Sequence, residues 1–141
     1  MTSGPGSDVT EFMPVHFLNV DLDIESSADM TPLIEAFHPA AYSMERAPGL
    51  ASFELDGERP DEPEGLILEF IRLIVGLPPA ARALWDGATR RTFDIGIDSG
   101  LTPWATQWRL SSTTLRQAAD VGADIVITVY EVDEFDLREN T

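Results

Sequence analysis

The stretch HFLNVDLDIES, residues 16–26, alternates without a break: Leu18, Val20, Leu22 and Ile24 fall on one side of an extended chain, and Asn19, Asp21, Asp23 and Glu25 on the other. A period of two held this long predicts a half-buried strand, and it constrains more than that strand. Where alternate side chains are carboxylates, one face of the sheet must stay wet, so any covering layer is confined to the other. The same pattern returns in RRTFDIGIDSG, where Phe93, Ile95 and Ile97 oppose Thr92, Asp94, Gly96 and Asp98.

Between these strands the periodicity changes. Met30, Leu33, Ile34 and Phe37 recur at helical spacing, with Ser27 or Asp29 as a candidate cap and Pro32 in the first turn. The segment AAYSMERAPGLASFELDG reads as two short strands broken at Pro48-Gly49, a hairpin whose register the letters leave open. In LILEFIRLIVGL the apolar residues Leu66, Ile67, Phe70, Ile71, Leu73, Ile74 and Leu77 cover most of a helix, which predicts deep burial. Pro78-Pro79 ends that helix and opens another, in which Leu84 and Trp85 face the core.

After RRTFDIGIDSG, the stretch PWATQWRLS sets Trp104, Thr106, Trp108 and Leu110 opposite Ala105, Gln107 and Arg109, which predicts a further strand. SSTTLRQAADVG then carries a serine cap and a Gly122 stop, and ADIVITVYEV is the last strand. The expected order is β-α-β-β-α-α-β-β-α-β: an α+β fold with a mixed, mainly antiparallel sheet of about six strands and helices packed on one face. Residues 1–13 read as a flexible N-terminal segment, 14–132 as a single domain and 133–141 as an acidic C-terminal tail, with Glu131 to Glu139 leaving the final strand into solvent.

A chain of 141 residues is long enough to fold around one core without covalent staples, and 43% hydrophobic content supplies that core. Its charge is the unusual quantity. Twenty-five acidic residues stand against nine basic ones, all of them arginine, for a net charge of −16. Such a surface repels phosphate backbones, so nucleic acid is not an expected partner, while a basic protein is drawn to it. Solubility, or a salt-rich cytoplasm, accounts for the same acidity. Without cysteine there are no disulfides, thiol nucleophiles or zinc knuckles. No apolar run is long enough to span a membrane and no signal peptide is visible, so a bacterial cytoplasmic location is expected.

Few residues suggest chemistry. Asp21, Asp23, Asp94, Asp98 and Arg109 occupy outward strand positions, and with Trp104, in the turn SGLTPW, they form the candidate binding set. The aspartates also raise the alternative of a small metal-dependent enzyme, although plain alternation produces the same spacing and DLDIES lacks the features of a calcium loop. No metal and no cofactor are expected. His16 and His38 sit at element ends, no serine lies in a nucleophile elbow, and GIDSG has neither a dinucleotide nor a P-loop pattern, so no catalytic residue is assigned.

RRTFDIGIDSG followed by RLSSTTLRQAADVGADIVITVY resembles the C-terminal half of an uncharacterised family of small bacterial α+β domains. VDLDIES and LPPAARALWD extend the resemblance over about residues 15–132. Such domains are similar to the immunity proteins found beside bacterial toxins. The resemblance implies a non-catalytic acidic binding protein that neutralises a basic toxin, and it transfers no catalytic motif.

Overall fold

A computed structural model describes residues 15–100 and 105–131; the expected N-terminal segment, the acidic tail and Trp104 lie outside them. The described residues form β1 (His16–Glu25), α1 (Thr31–Phe37), β2 (Ala41–Ala47), β3 (Leu50–Leu55), α2 (Pro63–Val75), α3 (Pro79–Asp86), β4 (Arg90–Asp98), α4 (Ser112–Asp120) and β5 (Asp124–Tyr130). The fold is α+β, as the alternating and helical stretches predict.

Local chemistry sets the boundaries. Glu62 caps α2 by accepting the Gly65 amide, and Pro63 occupies the first turn, where no backbone donor is needed. Ser111 caps α4 by accepting the Thr114 amide. At α1 the cap position belongs to Met30 and makes no side-chain hydrogen bond; Asp29, one residue earlier, accepts from the Thr31 amide and hydroxyl instead. The hairpin between β2 and β3 turns on Pro48-Gly49, with Gly49 at φ +79. A side chain there would be strained, and its Cβ would lie 2.8 Å from the Ser26 carbonyl oxygen.

The strands form one five-stranded sheet in the order β2-β3-β1-β4-β5. The β1–β3, β1–β4 and β2–β3 pairs are antiparallel, and β4–β5 is parallel. The first four strands therefore make a split β-α-β arrangement, in which β3 separates β1 from β2 and β1 separates β3 from β4. α4 and β5 extend it by one unit at the β4 edge.

That extension overturns the expected sixth strand. Residues 105–111 have no regular structure. β4 finishes at Asp98, and a parallel β5 must begin at the other end of the sheet, so the chain has to travel back across the helical side. Trp108 and Leu110 are half-buried against the core, and Trp108 tilts against Phe17 at 6.5 Å. Alternate side chains of any extended segment face opposite ways, so a crossover laid along the core carries the same alternation as a strand.

All four helices contribute to the core on one side of the sheet. Val20, Leu22, Ile24, Phe53, Phe93 and Ile95 meet Leu33, Phe37, Leu66, Ile67, Phe70, Ile74 and Trp85 there, all buried. Phe37 meets Phe53 edge-on at 5.1 Å, and Phe70 lies 5.9 Å from Phe93. Burying each such side chain stabilises the fold by about 1.5–3 kcal/mol. Leu18 departs from the expected apolar side: a bulge between Phe17 and Asn19 displaces it, and it is 43% exposed.

The Arg91 guanidinium closes one corner of this layer. It donates to the carbonyls of Trp85, Asp86, Ala88 and Gly122 and lies 5.9 Å from the centre of the Trp85 ring. The Trp85 indole in turn donates to the Val121 carbonyl at 2.9 Å. Across the helices, the Glu64 carboxylate takes the Ser111 amide and the Thr114 hydroxyl, latching the crossover segment onto α2.

Candidate functional site

The face of the sheet opposite the helices carries the wet side of each alternation, and the strand registers arrange it in rows. Ser52, Asp23, Thr92 and Asp124 lie side by side across β3, β1, β4 and β5. One step along, Asp21, Asp94 and Val126 form the next row, with Glu54 beside Asp21. On the other side of the Thr92 row stand Glu25 and Arg90, and toward the far end come Asn19, Gly96 and Thr128, then His16, Asp98 and Tyr130. Asp21, Asp23, Asp94 and Asp98 thus share one surface.

Hydrogen bonds tie these rows together. The Ser52 hydroxyl donates to Asp23 at 2.6 Å and accepts from Arg46, and the Thr128 hydroxyl donates to Asp94 at 2.7 Å. Asn19 donates to Asp21 and to Glu54, and Glu54 also receives the Tyr42 hydroxyl. That last bond holds the Tyr42 proton above the usual phenol range.

Asp21 is the strained member. Burial, followed by the charges of Glu54 and Asp23, pushes its carboxyl up to about 6; Arg46 offsets part of this and Asp94 adds to it. Like charges on adjacent strands are destabilising, so this crowding does not serve the sheet. Two hollows open on the surface. One, of about 240 Å³, is lined by Asp21, Glu54, Asp94 and the Tyr130 ring, over Gly96. A second, of about 430 Å³, lies over Thr92.

Two expected members are not brought into this group. Trp104 lies outside the described residues. Arg109 is not on the sheet, because its segment is the crossover; its charge acts on Glu64 at the start of α2. Conversely, Glu25, Glu54 and Asp124 belong to the acidic face. Glu54 alternates with Phe53 and Leu55, which marks it as outward, but only the pairing of β3 with β1 puts it next to Asp21.

The face holds acceptors and negative charge. Among the described residues no group of three or more His, Cys, Asp or Glu is placed to hold a metal ion. His16 lies 3.6 Å from Asp98 with its side chain 58% exposed, at the far end from the Thr92 row, and His38 is exposed beyond α1. Among the described residues no helix is long and apolar enough to cross a membrane. No family model matches the chain, and no curated protein or solved structure matches it.

Proposed function

We propose that this protein is a non-catalytic acidic binding protein whose helix-free sheet face docks onto a basic surface of a partner protein, in the manner of an immunity protein that neutralises a basic bacterial toxin. One observation carries the reading: Asp21, Asp23, Glu25, Glu54, Asp94, Asp98 and Asp124 crowd one face on which, among the described residues, Arg46 and Arg90 are the arginines. A surface that gathers like charge at the cost of raising Asp21 to about 6 is suited to a ligand that relieves the repulsion. A face of extended strands gives a broad contact area, as protein docking requires. Electrostatic attraction also speeds the encounter at low salt.

The test is to titrate the full-length protein with an arginine-rich peptide and follow each backbone amide by NMR. Shifts confined to β1, β3, β4 and β5, weakening as salt rises, support the reading. Shifts centred on the helices, or none at low salt, refute it. The rival reading, a metal-dependent enzyme built on the strand aspartates, would show instead as saturable magnesium or calcium binding at Asp21 and Asp94.

A further inference from the structure

We propose that the hollow over Thr92 receives the guanidinium group of an arginine side chain presented by the basic partner, an assignment that rests on the docking face above and names its anchor point. The floor of the hollow is the telling feature. Thr92 is only 6% exposed, its side chain lines the hollow, and among the described residues its hydroxyl has no hydrogen-bond partner. Its counterpart two strands away, Ser52, is buried to a similar degree yet is fully engaged between Asp23 and Arg46. A buried hydroxyl left without a partner is costly, and native proteins rarely keep one without a use.

The surroundings select the ligand. Asp23 on β1 and Asp124 on β5 flank Thr92 directly, and Asp94 stands two residues along β4. Asp23 and Asp94 each commit one carboxylate oxygen, to Ser52 and Thr128, which leaves the second oxygen of each as an acceptor. Arg90 stands at the rim and is exposed, and among the described residues it forms no ion pair. The hollow is therefore rich in acceptors, negatively charged and not neutralised from within, so it excludes anions and favours a cation with several donors.

Geometry favours guanidinium over ammonium. The acceptors are spread over three strands, about 4.8 Å apart from one to the next. A compact ammonium reaches one neighbourhood, whereas a planar fork with five N–H donors bridges carboxylates on both sides and still offers a donor to the Thr92 hydroxyl. Leu50 and Val126 supply apolar wall against which the flat face of the group packs. A volume of about 430 Å³ accommodates the end of an arginine side chain.

The probe is N-acetyl-arginine N′-methylamide, titrated into the full-length protein at low salt and followed by amide NMR, with the lysine analogue and agmatine run in parallel. Saturable shifts at Thr92, Asp94 and Asp124 are expected, with the capped arginine binding more tightly than the capped lysine. Thr92→Val should weaken binding about fivefold, as loss of one hydrogen bond implies. Thr92→Ser, which keeps the hydroxyl, and Glu35→Gln, on the exposed surface of α1 away from the face, should leave it within about twofold.

Unsaturable shifts spread evenly over the face, an unchanged affinity in Thr92→Val, or lysine binding as tightly as arginine would each overturn the assignment. Agmatine binding more tightly than the capped residue would overturn the partner-borne source in favour of a free guanidino compound. If capped arginine fails while the arginine-rich peptide still maps to the sheet face, the anchor is wrong and the docking face stands. If the peptide fails as well, the docking face falls with it.

Discussion

Glu64 and Asp21 are both carboxylates, one on the helical side of the sheet and one on its open face, and their surroundings treat them in opposite ways. The Ser111 amide and the Ser111 and Thr114 hydroxyls hold Glu64 below the usual carboxylate range, while burial beside Glu54 and Asp23 raises Asp21. The neighbours Arg91 and Thr92 repeat the contrast on a single strand. Arg91 points to the helical side and donates to four carbonyls; Thr92 points to the open face and, among the described residues, its hydroxyl has no partner. On one side polar groups are completed from within, which serves stability. On the other they are left charged, crowded or unpaired, which the proposed docking would relieve.

The contrast breaks first at Arg91. Arg91→Ala should destabilise the protein by about 1–2 kcal/mol in chemical denaturation, because part-buried carbonyls at the end of α3 lose their donor. Arg91→Lys should recover less than half of that, since an ammonium cannot span the same carbonyls. Glu64→Gln should cost less at neutral pH, read in the same denaturation experiment. A lowered pKa means that Glu64 contributes stability above its unfolded value of about 4.5 and loses it as pH falls through the folded value, so the cost should vanish in acid.

Asp21 carries the reverse sign. Its folded pKa of about 6 lies above the ordinary aspartate value of 3.8, so the proton it retains favours the fold at low pH, and that advantage disappears as pH rises from about 4 through 6. Asp21→Asn should therefore raise stability above pH 6 and leave it nearly unchanged below pH 4, as read from melting temperature across that range. The smallest effect is expected at Thr92→Val, within about 0.5 kcal/mol of the native protein or slightly stabilising, because an unpaired buried hydroxyl gives way to a methyl of similar size.

Much of this plan is legible in the letters. The alternation of residues 18–25 and 92–98 assigns Asp21, Asp23, Asp94 and Asp98 to one side of their strands, and short-range chemistry marks the Pro48-Gly49 turn, the Ser111 cap and the Gly122 stop. What escapes is decided by strand neighbours and chain direction. Nothing local announces that β5 runs parallel to β4, and that single fact turns residues 105–111 from an expected strand into a crossover and takes Arg109 off the face. The pairing of Arg91 with Trp85 and the latch of Glu64 onto Ser111 likewise join residues that only the finished fold brings together.

The central claim is that acidity acts through its placement on the open face rather than through total charge. Two variants with equal charge change separate these: Asp23→Asn with Asp124→Asn on the sheet face, and Glu35→Gln with Asp120→Asn on the exposed surface of α1 and α4. With affinity for an arginine-rich peptide measured at one fixed salt concentration, the account predicts a loss of about tenfold for the sheet-face variant and less than about twofold for the helical one. Equal losses in the two would contradict it.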